Sequence, residues 1–434
     1  MIKTLILIIN FILKNKPIYL GLLSTLIALC VTIFRGVNQT FQNDAQGYVI
    51  EARGMLKGWV YMQENPDLFF HGFGFTGLIF LTLLMTNINS LVLLKILLVV
   101  GHGVAVYLVA KIGIQIGLRE RYWILASLVF ALDPFMIFAA TDAQTESVVT
   151  LIVLWWSLLY ISPKSEKIKA PLLITLFFLT GVYLILVKPN TLLPFTLLTI
   201  AMYLKFRNEG VSKKVFVFPI VLFLGIISLY HVFLYKLYSG FVFLSTTGGS
   251  NAELMCRTEF IPQFFGLVSA AENARINAIA TQSTTASDLL LANPTLSIPQ
   301  INLELTSLGL DTCLANPLSS IWVLVVKTFA LWRPFTVFGA YGLEVFIISL
   351  LLWLPLSIVT LWFLVNKKMD RSSMLLKKYF VIISIGFTLS LLLTPTQIRH
   401  RVAFAEPFYW LFFFYFLQAI DGLRSRSTGK KLET

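Results

Sequence analysis

Gly72-Phe73-Gly74-Phe75-Thr76-Gly77-Leu78-Ile79-Phe80-Leu81-Thr82-Leu83-Leu84-Met85 is the apolar stretch whose placement decides the fold. Read as a membrane crossing, it puts the basic run Arg119-Glu120-Arg121 on the outer side of the bilayer. Read as a helix in the outer interface, it leaves every short basic loop on one side. Its 14 residues also fall short of the ~20 that cross a hydrocarbon core. The interfacial placement is therefore expected.

Upstream lies a polar insert, Asn43-Asp44-Ala45-Gln46-Gly47-Tyr48-Val49-Ile50-Glu51-Ala52-Arg53. A carboxylate at a membrane surface is costly when unhydrated, so its default reading is functional. Asp44, Tyr48 and Glu51 recur at helical spacing. A second interfacial helix, Asp44–Leu56, is expected beside the first, both inside an outer loop over 35–88.

The remainder is predominantly apolar: 57% of the 434 residues are hydrophobic and only 13% charged. That balance excludes a soluble globular domain. The expected fold class is an all-α polytopic membrane protein. About ten spans are expected, over 17–34, 89–111, 122–139, 147–162, 171–187, 191–204, 215–235, 343–365, 379–394 and 407–420. The formal net charge of +13 would raise nucleic acid as a partner of a soluble protein. Here the basic residues, such as Lys14, Lys16, Lys111, Lys205, Lys213, Lys367, Arg371 and Arg424, sit in short loops and tails. That is the positive-inside pattern, so the charge reports topology and no nucleic-acid partner is expected. Both termini are expected in the cytosol, with the N-terminal apolar run retained.

Three regions follow: a transmembrane module over 1–235, a large outer loop over 236–342, and C-terminal spans with a cytosolic tail over 343–434. Within the large loop, Pro317–Leu331 is expected along the interface, because Lys327 and Arg333-Pro334 interrupt it. Cys256 and Cys313 both fall in this loop, where an oxidising surrounding makes a disulfide between them the expected state. No Cys/His spacing fits a zinc site, and no metal or other cofactor is expected.

The outer face gathers the unusual polar residues: Asp44, Tyr48, Glu51 and Arg53; Asp133-Pro134; Asp142 and Glu146; Lys188-Pro189-Asn190; Arg333; and Arg399-His400-Arg401 before Glu406-Pro407. Carboxylates and basic groups on one face suit a reaction between an acceptor hydroxyl and a lipid-linked phosphate. The carboxylate takes the hydroxyl proton. Arg and Lys neutralise the phosphate leaving group.

This arrangement resembles the C-type (GT-C) membrane glycosyltransferase superfamily. The matching pieces are Asp44 and Tyr48 in the first outer loop with its two interfacial helices, then Pro134 with Thr145-Glu146, then Lys188-Pro189-Asn190, then Arg399 and Arg401. The match covers 17–240 best. The resemblance implies a bacterial inner-membrane enzyme. It would move a sugar, with inversion, from a polyprenyl-phosphate (undecaprenyl-phosphate) donor to a glycan or glycolipid acceptor at the periplasmic face. Serotype-modifying glucosyltransferases of O-antigen are the nearest analogy in size. On this reading Asp44 is the base, with Glu146 and Glu51 as further catalytic candidates. Lys188, Arg333, Arg399 and Arg401 hold the donor phosphate, and Tyr48, Asp142 and Arg53 contact substrate. Asn43 stands where many relatives carry a second acid, which argues against a metal pair.

Each residue also has a structural alternative. Asp44 suits a helix N-cap, Glu51 a paired helix charge, Tyr48 an interfacial anchor, and Asp142 and Glu146 a helix N-terminus. Lys188 suits a snorkelling cation, and Asp133 a cap for the backbone freed at Pro134. Arg399 and Arg401 diverge on a helix and share a face only in an extended turn. His102 and His231 read as satisfied packing residues, and the aromatic runs Phe408–Phe416 and Trp155-Trp156 as lipid contacts. The rival functions are an O-antigen polymerase or ligase, which needs no acid in the first loop, and a flippase or transporter, which needs ionisable groups near the bilayer midplane.

Overall fold

The computed structural model describes residues 15–41, 43–66, 69, 71–87, 89–162, 170–244, 254–266, 268–282, 286–293, 295–334, 338–392 and 398–427. Among these, every regular element is helical. The helices are α1 Lys16–Arg35, α2 Asn43–Leu56, α3 Trp59–Glu64, α4 Phe73–Met85, α5 Val92–Gln115, α6 Glu120–Ala131, α7 Pro134–Thr141, α8 Thr145–Ile161, α9 Ala170–Val187, α10 Leu192–Asn208 and α11 Val217–Tyr238. Then come α12 Ile261–Phe265, α13 Ala270–Gln282, α14 Ala286–Ala292, α15 Ile298–Ala315, α16 Pro317–Trp332, α17 Phe338–Val365, α18 Arg371–Leu392 and α19 Ile398–Ser427.

Seven described helices are long and apolar enough to cross a membrane, and up to nine spans result if each of two bent pairs counts as one. The chain is thus a helical, multi-pass membrane protein by composition and element length. The expected span over 122–139 is broken into α6 and α7, which meet at 52°. Pro134 has no N–H to continue the helix, and the Asp133 carboxylate instead caps the new one, accepting from the N–H groups of Phe135 and Met136. The expected spans over 147–162 and 191–204 fall on helices of 17 residues each. Pro317 divides α15 from α16 at 107°. The first loop holds three helices, not two: α3 follows Gly58, whose φ of 95° only glycine adopts readily.

Side-chain contacts separate two ends of the assembly. One end carries the pairs Lys16–Glu120, Arg121–Asp421 and Arg371–Glu209, and Lys205 Nζ on the carbonyls of Tyr160 and Ser162. The other end carries the first loop, Asp142, Glu146, Lys188, Arg333 and Arg401.

Packing relies on glycine at close approaches. A Cβ on Gly386 of α18 would stand 2.4 Å from the Pro194 Cα of α10, and one on Gly181 of α9 would stand 2.1 Å from the Phe195 ring. Part of the aromatic run of α19 faces the protein interior and not lipid: Phe408, Leu411 and Phe412 are fully buried, as is Trp156 of α8, while Phe413, Phe416 and Trp155 stay half-buried. Helices α6, α8, α17 and α18 surround α19, and in a membrane protein an apolar residue suits either environment. Pro407 interrupts no helix, contrary to the expected start at 407. The carbonyl of Ala403, which loses its helical donor at Pro407, accepts the Thr150 hydroxyl at 2.7 Å instead.

Candidate functional site

Helix α2 presents Asp44, Tyr48 and Glu51 on one face, at i, i+4 and i+7. Asp44 lies in the first turn and is half-buried. Glu51, only 2% exposed, is a brace. Its Oε1 accepts from the His71 backbone N–H at 3.1 Å and lies 2.8 Å from His71 Nδ1, while Oε2 accepts from Thr76 at 2.9 Å. The His71 ring lies 4.1 Å from the Tyr48 ring. One carboxylate thus ties α2 to the start of α4. Residue-by-residue reading missed His71, because its partner is 20 positions away.

Helix α4 in turn is pressed against the end of α9. A Cβ on Gly72 or Gly74 would come within 2.4 Å of Leu186 O or 2.5 Å of Val187 N, so only glycine permits this approach. Ala45 and Val49 of α2, Ala143, and Val187 share one buried apolar cluster. Their chain neighbours Asp44, Asp142 and Lys188 are thereby carried to the same place.

Asp142 is fully buried. Its Oδ1 accepts from Phe41 N at 3.3 Å and Ala143 N at 3.1 Å, while Oδ2 has no hydrogen-bond partner among the described residues. Arg35 donates to Thr141 at 2.7 Å and is held between the rings of Phe41 and Phe138. Lys95 donates to Gln39 O at 2.5 Å. These contacts fasten the chain just before α2 onto the turn between α7 and α8.

Glu146 opens α8, and its Oε1 takes the Lys188 ammonium at 2.8 Å. One turn on, Thr150 bonds the carbonyls of both Glu146 and Ala403. Ala403 is two residues from Arg401. Arg401 Nη1 donates at 2.6 Å to Arg333 O. Arg333 spends its own Nη1 on the carbonyls of Gln263, at 2.9 Å, and Phe264. Arg333 is thus a brace between the large loop and α19. Lys327, interior to α16, bonds Leu392 O at 2.7 Å and Met255 O at 3.4 Å. Cys256 and Cys313 are joined by a disulfide.

The expected residues therefore converge at one end: α2 with Asp44 and Tyr48, the Asp142–Glu146 turn, Lys188 and Arg401. Arg53 is half-buried in the last turn of α2. The side chain of Arg399 lies outside the described residues. Its backbone and that of Arg401 are helical, so the two arginines do not share the extended turn that would align them. His231 Nδ1 reaches Ile227 O at 2.8 Å, and His102 is a buried packing residue against the Phe130 ring. Among the described residues, no three His, Cys, Asp or Glu side chains form a group suited to a metal ion. No family profile, curated protein or solved structure matches this chain.

Proposed function

We propose that this protein is a GT-C-like glycosyltransferase that moves a sugar from a polyprenyl-phosphate donor to a glycan or glycolipid hydroxyl at the outer face of a bacterial inner membrane. The observation that carries this reading is the convergence of a half-buried acid, Asp44, with Lys188 and Arg401 at one end of a helical membrane assembly. A soluble nucleotide sugar has no need of such a membrane-embedded setting, whereas a lipid-linked donor does.

In the proposed reaction Asp44 accepts the proton of the acceptor hydroxyl. The acceptor oxygen bonds to the anomeric carbon from the side opposite the phosphate. The bond from that carbon to the phosphate oxygen breaks, and its electron pair leaves on the phosphate. Lys188 and Arg401 neutralise the charge that develops there. Glu146 holds Lys188 in place, and Arg333 acts through Arg401 by presenting its carbonyl. Tyr48 and Asp142 border the acceptor. Glu51 keeps α2 in register and takes no proton from substrate.

The test is sugar transfer by the purified chain in detergent, read as release of polyprenyl phosphate from a panel of polyprenyl-phosphate sugars. Release that depends on acceptor and is lost in Asp44→Asn supports the reading. Release unchanged in Asp44→Asn removes the assigned base.

A further inference from the structure

Arg401 is fully buried, and its guanidinium is only half used. Nη1 donates to Arg333 O at 2.6 Å, and the Trp353 ring lies 4.7 Å from Cζ. The opposite edge, Nε and Nη2, makes no hydrogen bond among the described residues. That edge presents two parallel N–H groups, the geometry that grips two oxygens of a phosphate or carboxylate.

Glu406 is 1% exposed, and its Oε1 stands 3.9 Å from Arg401 Nη2. Among the described residues neither of its oxygens lies within hydrogen-bond distance of a partner, and its polar neighbours are Asp133 and Trp353. The two residues are five apart on α19, so the helix turns them past each other, where a spacing of three or four would pair them. Pro407 and the Thr150 bond to Ala403 O fix the helix locally in that register. Asp133 adjoins Glu406. A buried guanidinium edge and a buried carboxylate, each unsatisfied and almost in reach, form an arrangement with two low-energy outcomes. Either Glu406 closes on the edge, or another anion occupies it.

We propose that Glu406 is an internal competitor for the phosphate that Arg401 binds. It holds the Nε/Nη2 edge in the empty protein, yields it to the donor's phosphate, and returns as polyprenyl phosphate departs. This rests on the reading above that phosphate docks at Arg401. Glu406 is a positioning residue and touches no reacting atom.

The experiment is titration calorimetry of the full chain in detergent with farnesyl phosphate, inorganic phosphate and farnesol, on wild type, Glu406→Gln, Glu406→Asp and Arg401→Gln. Glu406→Gln is expected to bind farnesyl phosphate about tenfold tighter with farnesol unchanged, and Arg401→Gln about tenfold weaker. In turnover, Glu406→Gln lowers KM and kcat together, because product release slows. Equal tightening for inorganic phosphate means the headgroup alone is read; tightening for farnesyl phosphate only means the lipid contributes; both support the competitor. Unchanged or weaker farnesyl phosphate binding in a Glu406→Gln protein with the wild-type melting profile overturns it. If Glu406→Gln does not fold, Glu406→Asp carries the test, since its shorter reach must also tighten binding. Tightened binding without sugar transfer from any donor leaves the competitor standing and removes the glycosyltransferase reading.

Discussion

Lys188 and Glu146 meet at 2.8 Å across the ends of α9 and α8, both largely shielded from solvent. Breaking one side of such a pair strands the other charge. Lys188→Met is expected to cost about 3 kcal/mol, and the double change Lys188→Met/Glu146→Gln less than the sum of the two single changes. Thermal melts of the four proteins in one detergent close the cycle. Strict additivity removes the pair from the account.

Glu51 and Asp44 lie on the same face of α2 but are predicted to fail differently. Glu51→Ala removes the acceptor for His71 and Thr76 and is expected to cost about 3 kcal/mol of stability. Asp44→Asn is expected to melt like wild type while losing at least 100-fold in transfer rate. Parallel melts and rate measurements check both, and a destabilised Asp44→Asn makes that residue a brace as well.

Sequence reading reached the fold class and the gathering of polar residues at one end, because charge sidedness is written in short loops such as Arg119–Arg121. It did not reach which of these residues are braces. Glu51 reads as a catalytic candidate or a paired helix charge until His71 is seen beside it, and Arg333 as a phosphate-holding cation until the carbonyls of Gln263 and Phe264 are placed. Those partners are brought in by tertiary packing, not by local pattern. The inward turn of Phe408 and Phe412 is hidden for a related reason. Lipid and protein interior are equally apolar, so hydropathy alone does not tell which one a phenylalanine meets.

The Cys256–Cys313 bridge closes a separation of 57 residues. A loop of that length corresponds to about 4 kcal/mol of restricted unfolded-state entropy in the chain-entropy account. Cys313→Ser is therefore expected to lower the melting temperature clearly, with Cys30→Ser near neutral. Melting under reducing and non-reducing conditions provides the check, and wild type should fall to the Cys313→Ser value when reduced.

Gly386 allows α18 to touch the backbone of α10 at Pro194. Gly386→Val forces the two helices apart and is expected to cost about 3 kcal/mol or more, whereas Gly422→Ala, with open space at its Cβ, is expected to be near neutral. Detergent melts of the two variants decide this, and an unaffected Gly386→Val contradicts the close crossing.

The most direct test of the central claim is release of polyprenyl phosphate from a panel of polyprenyl-phosphate sugars by the purified chain, with and without a glycan acceptor. The account predicts acceptor-dependent release by wild type and none above background by Asp44→Asn. No release from any donor by a well-folded wild-type protein, or undiminished release by Asp44→Asn, contradicts it.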